Sequence, residues 1–276
     1  MLETSTFGVL HDLSIFVSLA TALGVVAYRV MRHFRPEVSW NHEGQVLSRP
    51  YAAPDLMVLA MLGLLFLSSM ESPSAEHANA AMNAPGIILS MAFNLIVCAA
   101  LLLYLHRLRG LNPAELFGLQ HLRWRWMGKV VLIFAVICVV AVSLVSIAVT
   151  KWLQDIWPDL QPQQMVEVFQ TSGDLWVKVL VIVAAVVIAP LAEETLFRGF
   201  VYGVLKRYTD APFAALISSL MFAIIHMHVG SLLPLCMLAV LFCLAYEITG
   251  CLLVPMLLHM IFNGTSIIMM MAVDAG

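Results

Sequence analysis

The sequence predicts an all-α polytopic membrane protein, a bundle of about eight transmembrane helices with a polar site in the last four. Three observations carry that reading. The 276 residues are 62% hydrophobic and 11% charged, with a mean hydropathy of +0.94, whereas a soluble domain is about 25% charged. Apolar runs approaching the ~20 residues a spanning helix needs recur along the whole chain. Strongly polar residues inside those runs gather almost entirely in the carboxy-terminal part.

The runs fall at about 8–31, 54–70, 86–106, 129–150, 175–205, 211–228, 231–249 and 251–272. The second is short and the fifth long. The amino terminus, MLETSTFGVLHDL, lacks the basic segment of a signal peptide, so the first run is expected to remain as a helix. Between the third and fourth runs, LNPAELFGLQHLRWRW (111–126) offers Asn112 as N-cap, Pro113 at the first helical position and Trp124 and Trp126 beside arginines. That pattern predicts a short interfacial helix near 112–126. Residues 1–170 then form an amino-terminal group of four helices, and 171–276 a carboxy-terminal helical core. No internal repeat or long low-complexity tract is apparent.

The distribution of basic residues predicts orientation. Arg29, Arg32, Arg35 and Arg49 follow the first run, Arg107, Arg109, Arg123, Arg125 and Lys129 lie around the third connection, and Lys206 and Arg207 follow the fifth run. The alternate connections hold Lys151 and Lys178 with Glu71, Glu76, Asp155, Asp159, Glu167 and Asp174. The positive-inside rule places both termini on the non-cytoplasmic side. The expected residence is the inner membrane of a bacterium. The formal charge of −3 is uninformative about partners, and no basic patch interleaved with aromatics suggests nucleic acid. Membrane lipids are the expected surroundings.

The five cysteines, Cys98, Cys138, Cys236, Cys243 and Cys251, lie in or beside apolar runs without a C-x-x-C pair, and read as small hydrophobes. Asn94 reads as glue between helices, His228 as interfacial, and Glu247 as snorkelling to the cytoplasmic face or helping to hold the site together.

The remaining intramembrane polar residues are Glu193, Glu194, Arg198, His226, His259 and Asn263. Each charged group at a bilayer centre costs roughly 2.5–3.5 kcal/mol on insertion scales, so something must offset it. Helical spacing sorts them. Glu194 and Arg198 share a face and can neutralise each other, a pairing more structural than catalytic. Glu193 points about 100° away and lacks a partner in its own helix. Pro190 removes one backbone hydrogen bond, bends the helix and frees a carbonyl nearby. Phe222 and His226 are four apart, so the ring can fix the imidazole, and His259 and Asn263 are four apart on another helix.

A water held between Glu193 and His226 could be deprotonated to attack a carbonyl, with His259 and Asn263 stabilising the oxyanion. That chemistry is peptide-bond hydrolysis without a covalent intermediate. Taken singly, either histidine could equally be a hydrogen-bonded structural group. Zinc on two histidines and a glutamate is the less favoured alternative: there is no H-E-x-x-H, and the ligands would come from three helices. No cofactor is expected.

E-E-x-x-x-R (Glu193, Glu194, Arg198), F-x-x-x-H (Phe222, His226) and H-x-x-x-N (His259, Asn263) stand in that order, each in its own apolar run. The stretch LAYEITGCLLVPMLLHMIFN leads into the last motif and ends with it. Together these resemble the CPBP (ABI) family of intramembrane proteases, which includes the CAAX prenyl endopeptidases and proteins linked to bacteriocin maturation or self-immunity. The resemblance covers about 175–272. It implies a glutamate-dependent intramembrane endopeptidase with Glu193 as base and His226 holding the water. His259 and Asn263 would form the oxyanion hole, with Glu194, Arg198 and Phe222 supporting.

The implied substrate is a protein or peptide, lipidated (CAAX-like, prenylated) or membrane-associated, cut in a water-filled cavity nearer the cytoplasmic side. Two readings from other classes remain: a proton-coupled transporter, and a non-catalytic scaffold or immunity factor. Oligomeric state, and the role of the first four helices, are not legible.

Overall fold

A computed structural model of the chain describes residues 2–35, 44–69, 83–120, 122–158 and 164–274. Glu71, Glu76 and Asp159, counted above among the acidic loop residues, lie outside them. The described residues are all-α. Leu2–Phe34 (α1), Ala53–Ser69 (α2) and Ala84–Leu108 (α3) come first. Pro113–Leu116 (α4), Trp124–Ile156 (α5) and Gln164–Thr171 (α6) follow. Leu175–Tyr208 (α7), Ala211–Ile224 (α8), Val229–Thr249 (α9) and Leu253–Asp274 (α10) complete the chain. The protein is an integral membrane protein: six of these helices are long and apolar enough to cross a bilayer.

Two of the eight expected spans are shorter than a crossing. α2 has 17 residues and α8 has 14, or ~26 and ~21 Å at 1.5 Å per residue, against ~30 Å of hydrocarbon. α8 starts where Asp210 accepts from the Phe213 N–H at 2.9 Å, and it ends at Ile224, before the turn that carries His226. The sequence pattern had carried this helix through His228. Instead His228 caps α9, its Nδ1 accepting from the Ser231 N–H at 3.1 Å.

The expected interfacial helix is also divided. Asn112 does cap, accepting from the Ala114 N–H at 3.0 Å, but α4 is a single turn. Trp124 and Trp126 belong to the first turn of the long α5. Gly118 breaks the segment at φ +68°, and a Cβ there would lie 1.8 Å from the Gly250 carbonyl oxygen. Only glycine permits both that backbone and that approach.

α9 is the hub of the bundle: half of its spanning window is buried, against 11–28% for the other five spans. It packs on α5, α8 and α10, while α1 covers α8 and α3 lies along α7. One hydrophobic core accordingly draws Leu10 and Tyr51 together with Phe200, Phe222 and Tyr246. The five cysteines are unpaired thiols, and burial pushes the Cys251 thiol up, consistent with inert packing groups. Asn94 bonds the Ser90 carbonyl in its own helix at 3.1 Å rather than a neighbouring helix.

The loops rich in arginine and lysine meet at one end of the bundle. Arg109 pairs with buried Asp55 at 2.9 Å, and Tyr28 donates to Asp210 at 2.7 Å. Glu247 does not snorkel outward: it accepts from Tyr202 and Lys206. Lys206 also donates to the Val46 carbonyl at 3.1 Å, and Tyr51 donates to the Gly199 carbonyl. Residues 44–52 are thereby strapped across the ends of α7 and α9.

Gly118→Ala is expected to lower stability by about 2–4 kcal/mol, from its left-handed backbone and the contact with Gly250. Thermal unfolding in detergent would check this; a midpoint within a degree of wild type would contradict it.

Candidate active site

α7 carries both glutamates, and its backbone departs from α-helical register on either side of them. Ala184–Ile188 and Thr195–Tyr202 are π-helical, flanking Ala189–Glu194. In the first π stretch the Ala189 N–H bonds the Ala184 carbonyl, five residues back. The next carbonyl in that series, Ala185, would need a donor from residue 190, and Pro190 has none. Asn263 supplies it: its Nδ2 donates to the Ala185 oxygen at 2.8 Å. The carbonyl that the sequence expected Pro190 to free is therefore identified, and so is its partner. Of the two N–H bonds on that amide, one is committed to locking α10 against α7.

Glu194 is fully buried and Arg198 is 1% accessible. They pair as expected, Arg198 Nη1 donating to Glu194 Oε1 at 3.0 Å. The guanidinium lies 4.5 Å from the centroid of the Phe222 ring and 5.2 Å from that of Phe242. Aromatic faces on α8 and α9 thus hold a cation from α7. Phe242 has no signal in the sequence, since nothing local relates it to Arg198.

The same Glu194 oxygen takes a second bond, from His259 Nδ1 at 2.9 Å. Because an ionised carboxylate only accepts, His259 carries its proton on Nδ1, and Nε2 is turned elsewhere. The pairing of Glu194 with Arg198 alone had suggested a brace; the structure makes Glu194 the group that also orients His259. Phe242 packs tilted on that imidazole at 5.4 Å, and Phe222 edge-on at 5.8 Å.

His226 is set by the same logic. Its Nδ1 lies 2.8 Å from the Phe222 carbonyl oxygen, so Nδ1 bears hydrogen. The Phe222 ring packs against it at 4.8 Å, as the i,i+4 spacing predicted, although the imidazole sits in the turn beyond α8.

Both Nε2 atoms point to Glu193. His226 Nε2 and His259 Nε2 each lie 4.0 Å from Glu193 Oε2, an oxygen with no hydrogen-bond partner among the described residues. Glu193 and His226 keep 18% and 17% side-chain accessibility while His259 keeps 4%. The four residues from three motifs thus fall into one constellation: Glu193 and His226 on the accessible side, His259 and Glu194 behind. A cleft at the basic end of the bundle contains none of them. As to metal, the two Nε2 atoms and Oε2 converge, yet among the described residues no set of three His, Cys, Asp or Glu is spaced to hold an ion.

Fold and site define a class: a polytopic membrane bundle with a carboxylate and two oriented imidazoles meeting in its interior. Residues 175–265 match the family described as "Type II CAAX prenyl endopeptidase Rce1-like". A Bacillus subtilis (strain 168) protein described as "Putative membrane peptidase YdiL" is 33% identical over 90 residues, 33% of this chain. The match spans 37% of that relative's length. No solved structure matches. The carboxy-terminal third of the chain is thus similar to the CPBP/CAAX family of membrane proteases.

Arg198→Met, which leaves Glu194 as a buried charge, is expected to destabilise the fold by about 3–5 kcal/mol. Adding Glu194→Leu to Arg198→Met should recover part of that loss. Unfolding of both variants in detergent reads this out, and equal stability of single variant and wild type would contradict it.

Proposed function

We propose that the protein is an intramembrane endopeptidase that hydrolyses a peptide bond with water activated by Glu193. The observation that carries this is the meeting of His226 Nε2 and His259 Nε2 at 4.0 Å from the unbonded Oε2 of Glu193. A water off the line joining Glu193 and His226 can contact both at hydrogen-bond distance, since a separation of 4.0 Å leaves room for two bonds of ~2.8 Å. Glu193 takes its proton as the oxygen attacks the carbonyl carbon. Glu193 then returns that proton to the leaving nitrogen as the C–N bond breaks.

The tetrahedral oxyanion needs donors. His259, held through Nδ1 by Glu194, supplies one through Nε2 when it carries protons on both nitrogens. Asn263 supplies another through the N–H that Ala185 does not occupy. Each such donor is worth about 2.7–4 kcal/mol in the transition state. The substrate class is a protein or peptide cut near a lipidated (CAAX-like) or otherwise membrane-associated end, in line with the family description of residues 175–265. The proposed setting is the inner membrane of a bacterium with both termini non-cytoplasmic, supported by the gathering of basic loops at one end.

Glu193→Gln should leave the fold intact and reduce cleavage at least ~100-fold. Comparison of protein C- and N-termini between wild-type and variant cells would reveal the substrate; unchanged termini together with undiminished cleavage of a prenyl-peptide reporter would overturn the assignment. Topology reporters fused to either terminus are expected to report the non-cytoplasmic side, and a cytoplasmic signal from both would reverse the orientation.

A further inference from the structure

At the basic end a cleft of about 580 Å³ opens between the strap, the α3–α5 connection and the end of α9. Backbone contacts between its three walls give it a fixed frame. The Leu252 N–H donates to the Phe117 carbonyl at 3.0 Å, and the Gln45 N–H to the Glu247 carbonyl at 3.2 Å. A Cβ on Gly118 would lie 1.8 Å from the Gly250 oxygen, and a Cβ on Gly250 would lie 2.9 Å from the Gln45 Cβ.

The lining is chemically divided. Glu115 supplies a carboxylate and Arg123 a guanidinium, and no ion pair ties either to another described residue. Met127 and Ile248 supply apolar wall, and Trp126 stands at the first turn of the spanning helix α5. Tryptophan at the end of a spanning helix marks the level of lipid headgroups. The volume lies within the usual range for a small ligand, about 300–1,000 Å³.

We propose that this cleft binds the headgroup of a phospholipid bearing a primary ammonium, of the phosphatidylethanolamine type. Its phosphate meets Arg123, its ammonium meets Glu115, and the start of its acyl chains lies along Met127 and Ile248. One anionic and one cationic partner in one cleft match a zwitterion; an anionic headgroup would meet Glu115 unfavourably. The site is separate from Glu193, so the inference does not rest on proteolysis.

The test is native mass spectrometry of the purified full chain, titrated with dioleoyl-phosphatidylethanolamine, -phosphatidylcholine or -phosphatidylglycerol. Phosphatidylethanolamine is expected to be retained best. Arg123→Ala should weaken retention of all three about fivefold, the scale of an exposed ion pair. Glu115→Gln should weaken phosphatidylethanolamine by a similar factor and leave phosphatidylglycerol equal or tighter. Both side chains are exposed, so neither change should unfold the protein. Preference of wild type for phosphatidylglycerol, or identical retention by wild type and both variants, would overturn the proposal.

Discussion

The buried guanidinium of Arg198 is the constraint around which the carboxy-terminal bundle is arranged. A cation with 1% accessibility inside an apolar bundle is stable only where countercharge and aromatic faces replace water. Glu194 on its own helix gives the charge, and Phe222 on α8 and Phe242 on α9 give the faces. Glu194 then passes the interaction on to His259 of α10. One side chain thereby fixes the mutual placement of four helices, and the orientation of an imidazole follows from it.

The neighbouring glutamate is free for a different role because of that arrangement. Glu194 is committed to Arg198 and His259, whereas Glu193 retains an unbonded oxygen facing two Nε2 atoms. Both histidines have Nδ1 held by an acceptor, the Phe222 carbonyl for His226 and Glu194 for His259. Neither ring can flip without losing that bond, so the lone pair or proton presented to Glu193 is pre-set.

Register along α7 is held at both ends of the reactive turn. Pro190 and the π stretch before it leave the Ala185 carbonyl for Asn263, tying α10 to α7. Beyond the second π stretch, Lys206 and Tyr202 meet Glu247 of α9, and Tyr51 of the strap reaches Gly199. Polar contacts therefore grip the helix above and below Glu193, and each resides in an apolar setting where a lost partner leaves an uncompensated group.

The sequence by itself determined the helical membrane class and the separation of the two glutamates, and it singled out Glu193, Glu194, Arg198, Phe222, His226, His259 and Asn263. Those follow from hydropathy and from 3.6-residue spacing, which are local properties. It also marked Asn112 as a cap and Phe222 as the ring beneath His226. Only the tertiary structure decided that Glu194 orients His259, that Phe242 completes the cage of Arg198, and that Glu247 pins the strap. It equally decided that α8 ends before His226 and that the segment near 112–126 is a single turn followed by the start of α5. Contacts between helices far apart in sequence, and π turns that shift register by one residue, leave no periodic trace in the chain. They arise where packing and the pairing of buried charge outweigh local preference.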